Sequence, residues 1–339
     1  MAVEGFNPLL DISDFSIEGT PISTYWPDFR YALTNAIIQR TISGTSTLTL
    51  QLTDPTRAIL NAKAGDGNYV LRHGLQVSVD NLDFMLAQFV KASDQAQLVF
   101  ESNAIFHFRS LTNGNSTQIT TNGTINQFFQ QLIDQCNATF GTNYTLNAAD
   151  YNQYSMFLVA GTTVNLSSLT GATSQYTRGS TVDTSEDSWT AMQRVASGVG
   201  WRCWESSGVI YLGPDEYWLG YIFGPNGVTK GDPPINTTVG HLPPDNLYEF
   251  TTGVQLMDYD WDIGKPFGNA TVTCMLDFLR YQPGEVINLN NIGPASGPWI
   301  VNTIQRDLFL AEGTITCQIP MPSNSMIIQT LTTTGRPLL

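Results

Sequence analysis

Residues 185–219 read SEDSWTAMQRVASGVGWRCWESSGVIYLGPDEYWL, and this stretch changes its apolar period once, from helical to alternating. Trp189, Met192, Ala196 and Val199 recur at helical spacing. Ser185 or Thr184 supplies an N-cap oxygen, and Glu186 and Asp187 fall in the first turn, where carboxylates complement the positive end of the helix dipole. Gly198 and Gly200 provide the stop. Beyond them Trp201–Glu205 and Val209–Leu212 alternate around Ser206-Ser207-Gly208, a turn in which glycine supplies positive φ. The stretch therefore predicts a helix over 185–200 and a hairpin, with one hairpin face buried and Trp189 anchoring the helix to the same layer.

Upstream, a Ser/Thr/Asn/Gly-rich segment, SLTNGNSTQITTNG, leads into a second helix over 124–141, capped by Thr124 and closed by Gly141. Its stripe runs through Ile125, Phe128, Phe129, Leu132, Ile133, Cys136 and Phe140 and covers a core face. Outside these helices the chain alternates. Segment 28–53 gives two strands broken at Gly44 and at Asp54-Pro55, and Leu75–Val79, Phe84–Lys91 and Gln97–Arg109 continue an antiparallel meander, a small barrel. A second meander occupies 249–319. The expected organisation is a first β-barrel with an N-terminal arm (1–115), an α+β middle region (116–219) and a Gly/Pro-rich linker (220–248). A second β-barrel (249–320) and a C-terminal arm or disordered tail (321–339) complete it. The fold class is mainly β with an α+β insertion.

The chain has 339 residues, more than one core ordinarily organises, with 42% hydrophobic and only 13% charged residues. Its formal charge of −14 opposes specific nucleic-acid binding and an anionic membrane surface, both of which need clustered Lys and Arg. No apolar window approaches a membrane span, and the acidic N-terminus lacks a signal-peptide pattern, so a soluble chain without membrane insertion is expected. Cysteines 136, 203, 274 and 317 show no zinc-like spacing and read as free thiols. A bridge between Cys274 and Cys317, both on alternating segments, stays open at this level.

Catalytic groupings are not legible. His73, His107 and His241 sit in separate segments without metal-binding spacing. Gly65-Asp66-Gly67 reads as a turn, and GPASGP at 293–298 lacks the strand–turn–helix context of a nucleophile elbow. The best metal-like signal is Asp258, Asp260 and Asp262, spaced as in a calcium loop, but Asn269 stands where the closing glutamate would be. Alternating acids on an exposed strand explain it as well. Trp201, Trp204, Trp218, Trp261 and Trp299 could line a sugar groove or serve as core and contact anchors. No catalytic or cofactor-binding residue and no cofactor is expected.

Three segments carry a resemblance. EDSWTAMQRVASGVGWRCWESSGVIYLGPDEYW (186–218), LDFMLAQFVKASDQAQLVFESNAIFHFRS (82–110) and PGEVINLNNIGPASGPWIVNTIQRDLFLAEGTITCQIP (283–320) resemble, in order and spacing, the tail-tip or baseplate hub proteins of long-tailed phages. The likeness is to the minor tail proteins of actinobacterial siphophages and, more distantly, to contractile-tail hubs. Asn and Thr replace much of the charge of those relatives, and the 220–248 loop is longer. The resemblance implies two tail-tube-like antiparallel β-barrel domains with helix-containing subdomains, in a homotrimeric ring around the DNA passage. It further implies a structural, non-enzymatic role in the virion tail tip after assembly in the host cytoplasm. Implied partners are the distal tail protein, the tape measure protein and fibre proteins. The competing expectation is a carbohydrate-binding or cell-wall-degrading β-protein.

Overall fold

The computed structural model describes residues 16–79, 82–111, 124–150, 187–224, 227–235, 254–261, 268–275, 281–289, 297–308 and 312–319. The architecture is mainly antiparallel β. The N-terminal strands are β1 (Ser16–Ile17), β2 (Thr20–Pro21), β3 (Leu33–Thr41), β4 (Thr47–Thr53), β5 (Gln76–Val79), β6 (Leu82–Ala92) and β7 (Gln95–Ser102), with short helices α1 (Ile22–Tyr25) and α2 (Phe29–Ala32) before β3. Period-two patterning explains them. Leu48, Leu50 and Leu52 of β4 point inward beside Leu98 and Phe100 of β7, while the intervening Thr and Gln stay outside.

The C-terminal strands are β13 (Val254–Trp261), β14 (Gly268–Met275), β15 (Val286–Leu289), β16 (Gly297–Asp307) and β17 (Glu312–Ile319). The two strand-rich regions, separate in the sequence, form one sheet of 12 strands because β16 pairs antiparallel with β3. The pairing runs from Thr303 opposite Thr41 to Asp307 opposite Ile37. It is extended at both ends: the Ile42 amide donates to Asn302 O, 2.9 Å, and the Leu308 amide to Ala36 O, 3.0 Å. Asn302 sits at a register shift of β16 against β17, and the bulge frees it to serve β3, where its Oδ1 also accepts from Ser43 Oγ. One apolar core follows from the one sheet, joining Ile38, Leu50 and Phe100 to Trp299, Ile304 and Ile315. No closed barrel is found among the described residues; the sheet path ends at β13 and β2.

The middle region forms an α/β module. Alternation predicts strand through Arg109, but β7 stops at Ser102 and a helix, α3 (Asn103–Ser110), begins there. The reason is local: Ser102 Oγ accepts the Ile105 amide, the standard service of an N-cap serine. The second helix, α4 (Ile125–Phe140), starts at Thr124 with a full capping box involving Gln127 and ends at Gly141 in the left-handed conformation, as its sequence predicts. Strand β8 (Thr145–Ala148) follows.

Helix α5 (Ser188–Gly198) is capped by Asp187, whose Oδ1 accepts the Thr190 amide at 2.8 Å. The expected caps Ser185 and Thr184 lie outside the described residues. Asp caps as well as Ser, and Ser188 is spent elsewhere, donating to Leu111 O. Strands β9 (Arg202–Ser206) and β10 (Val209–Gly213) then form the hairpin, with β8 parallel to β10 on the other side. Within the stretch expected as linker, β11 (Tyr221–Gly224) and β12 (Gly227–Lys230) pair antiparallel, preceded in the chain by the short helix α6 (Asp215–Trp218).

The hairpin is buried on both faces, not one. Cys203, Ile210 and Leu212 face α3, α4 and α5 in one apolar cluster, while Trp204 and Tyr211 face the large sheet in another. The small sheet is thus a middle layer, which accounts for its run of consecutive buried residues. Trp189 is 3% exposed, inside the helical cluster and near Phe108. Trp189→Ala is expected to destabilise the chain by about 3–5 kcal/mol; a loss under about 1 kcal/mol in chemical denaturation would contradict this packing.

Candidate functional site

The most elaborate constellation is the seam where the α/β module meets the large sheet. Its apolar half centres on Trp204, fully buried and stacked on Tyr211 at 5.2 Å between centroids. Trp218 packs edge-on against Trp204 at 4.7 Å and donates its indole N–H to Gly213 O. Ile42, just past the end of β3, Val286 of β15 and Ile300 of β16 supply the opposing surface.

Gly284 makes this approach possible. Residues Gln282–Glu285 form a turn closed by the Glu285 amide on Gln282 O, with Pro283 and then Gly284 at φ +86°. A Cβ on Gly284 would overlap the Trp204 ring and come within 3.0 Å of Ile235 Cδ1. Glycine is required there both for its backbone angle and for the indole lying over it.

The polar half of the seam lies beside it. Arg40, at the end of β3, donates to Ser206 Oγ and, at 3.5 Å, to Ser207 Oγ of the β9–β10 turn. Glu205, 3% exposed, accepts the Gly208 amide at 2.8 Å and the Ser102 hydroxyl proton, with the Arg40 charge nearby. Ser102 therefore holds the module twice, capping α3 and donating to the hairpin. Burial pushes the Glu205 carboxyl up from its ordinary range, against the pull of Ser102, Gly208 and Arg40. Burial likewise lowers Arg40, which Glu205 partly offsets. A cavity of about 280 Å³ lies over these groups.

The residues singled out in the sequence are placed differently. Trp201, Trp204, Trp218 and Trp299 are all buried, so they pack the core instead of lining a groove. Trp261 ends β13. Asp258 and Asp260 lie in β13, paired with Thr271 and Asn269, and Asp262 lies outside the described residues. Among the described residues no group of three or more His, Cys, Asp or Glu could hold a metal. His107 Nδ1 meets Tyr144 Oη at 2.7 Å with its ring stacked on Phe140, and burial lowers its pKa. His73 packs against Phe106; His241 and residues 293–296 of GPASGP lie outside the described residues.

Asp66 accepts the Asn68 amide, which makes the Gly65–Gly67 stretch the turn it was expected to be. Strands β14 and β17 are neighbours, but Cys317 stands opposite Ala270 and Cys274 opposite Gly313. Four residues of strand separate them, about 13 Å, which is out of disulfide reach. Cys317 is buried, and Cys136 and Cys203 are free buried thiols.

Sequence reasoning missed Arg40, Ser102, Glu205 and Gly284. The signals were faint: a serine ending an alternating run, a Pro-Gly turn, and charged residues inside strands otherwise apolar or neutral.

No protein-family model and no curated protein sequence matches the chain. Solved structures do. The 43 kDa tail protein of prophage MuSo2 from Shewanella oneidensis aligns over 89% of this chain and 96% of its own, with a TM-score of 0.48 and 8% identity. The prophage tail protein gp18 from Listeria monocytogenes aligns over 90% of this chain and 95% of its own, with a TM-score of 0.45 and 8% identity. An Escherichia coli component of the type VI secretion system, described as similar to the phage T4 tail proteins gp27 and gp5, aligns over 91% of this chain and 77% of its own, with a TM-score of 0.48 and 14% identity.

Two outcomes test the seam. Gly284→Ala is expected to cost about 2–5 kcal/mol, combining left-handed strain with overlap on Trp204; a near-neutral value by denaturant titration would show that Trp204 is placed elsewhere. A buried acid with a raised folded pKa binds its proton more tightly folded than unfolded. Its contribution is complete below the unfolded carboxylate pKa of about 4.3 and is lost as pH rises through the folded value. The stability of Glu205→Gln relative to the parent should therefore improve between pH 4 and pH 7. A difference that does not change with pH would mean that Glu205 is not held in this environment.

Proposed function

We propose that this chain is a structural hub of a phage tail tip, a trimeric ring component that adapts the sixfold tail tube and distal tail ring to the threefold tip. The observation that carries the reading is the single sheet in which the first and last strand regions share one core, with the α/β module locked on by the Trp204 seam. Such a body is suited to transmitting position and load. Two strand-rich regions per chain, each completing a tube-like barrel wall in the assembly, would place six around a threefold axis and match a hexameric tube. The three segments resembling tail-tip hubs in order and spacing point the same way.

The acidic balance, −14 in formal charge, suits a lumen through which DNA passes without sticking. In this reading the domains run 1–115, 116–219, 220–248, 249–320 and 321–339, and the chain does no chemistry and needs no cofactor. Its partners are two further copies, the distal tail protein, the tape measure protein and fibre proteins, joined in the host cytoplasm into the virion tail. Each interface between copies would bury on the order of 2,000 Å² or more.

Light scattering on the purified chain is expected to give a trimer, and imaging of intact particles to locate three copies at the tip. A stable monomer at micromolar concentration, together with a copy number other than three, overturns the proposal.

A further inference from the structure

The cavity over the polar seam is lined by polar atoms that no described residue partners. Ser46, 4% exposed in the turn between β3 and β4, has a hydroxyl without a partner among the described residues, and so has the buried Oδ1 of Asn103 at the start of α3. Both line the cavity. Arg40 also lines it and carries donors beyond the two it gives to Ser206 and Ser207. The exposed Asp83 and Ser207, the buried Glu205 and the apolar Leu82 and Phe84 complete the lining.

We infer that this cleft binds a neutral polyhydroxylated ligand, a single pyranose-sized sugar unit. Asn103 Oδ1 can only accept, Arg40 can only donate, and Ser46 does either, so the occupant must both donate and accept within one small volume. Every sugar hydroxyl does so, and the C–H face of the ring suits the apolar lining of Leu82 and Phe84. An anion would meet Asp83 and Glu205, and a cation would meet Arg40. At about 280 Å³ the cavity lies just below the range of about 300–1,000 Å³ typical of small-molecule sites, which fits a single ring and not a chain segment lying lengthwise. Burying Ser46 and Asn103 without partners costs stability that an occupant returns as affinity. The inference stands on the cleft alone and is independent of the tail-tip reading.

The test uses the full chain with glucose and N-acetylglucosamine as separate probes in saturation-transfer NMR. Transfer to the ring protons of at least one sugar is expected, weakened about tenfold in affinity in Ser46→Val and in Asn103→Ala. Inorganic phosphate and free lysine should not compete. Hydrogen exchange on the unmodified chain with saturating sugar should slow at residues 44–47, 102–105 and 205–208, which keeps the test decisive even where a variant fails to fold. Transfer to neither sugar means that the cleft holds solvent only and overturns the inference. So does protection confined to other segments, unchanged affinity in both folded variants, or displacement by phosphate or lysine.

Discussion

The antiparallel pairing of β3 with β16 is the constraint on which the rest depends. It joins strands so distant in sequence that the Thr41 and Thr303 hydroxyls, hydrogen-bonded at 3.0 Å, are 262 positions apart. Loop-closure entropy grows only slowly with length, so such a contact is affordable once the ends carry complementary apolar faces. Ile38 and Ile304 provide those faces, and the Asn302 bulge locks the register by feeding its carbonyl and side chain to the end of β3. Remove the pairing and the two strand regions become separate sheets with exposed inner faces. The surface that receives the α/β module would also be lost, because Ile42, next to the end of β3, and Ile300 of β16 belong to it.

The seam built on that surface combines two kinds of interaction with different consequences. Trp204, Tyr211 and Trp218 supply the apolar area and most of the stabilisation. Arg40, Ser102, Glu205 and Ser206 supply orientation, since a buried charged group with fixed partners tolerates few alternative dockings. The raised Glu205 carboxyl shows the balance, because desolvation outweighs the guanidinium beside it. Gly284 links both halves of the arrangement to the backbone, since only a residue without a side chain lets the Pro-Gly turn lie against the indole.

Local features were the legible ones. The Thr124 cap, the Gly141 stop and the helical stripe between them predict α4 nearly to the residue, because all of its decisive interactions lie within a few positions. The β9–β10 hairpin and most strands followed from alternation for the same reason. Ser102 shows where that logic failed. Its strand pattern continues through Ile105, Phe106 and Phe108, but the hydroxyl caps the Ile105 amide and Ala104, Ile105 and Phe108 pack in the helical cluster, so the chain turns into a helix. The tryptophans show another limit: aromatic side chains on strands suit a groove and a core equally well, and burial decided for the core.

By itself, then, the sequence determined the mainly β class, the two principal helices, the hairpin and the absence of cysteine spacing for a disulfide scaffold, since these depend on neighbours in the chain. Tertiary structure alone decided that the two strand regions share one sheet and that the hairpin is buried on both faces. It also decided that Cys274 and Cys317 are out of register, and that Arg40, Ser46, Asn103 and Glu205 meet around one cleft. Each of those outcomes turns on which strand lies beside which, and on what register, and residue patterns that repeat every two positions do not encode the identity of a distant partner.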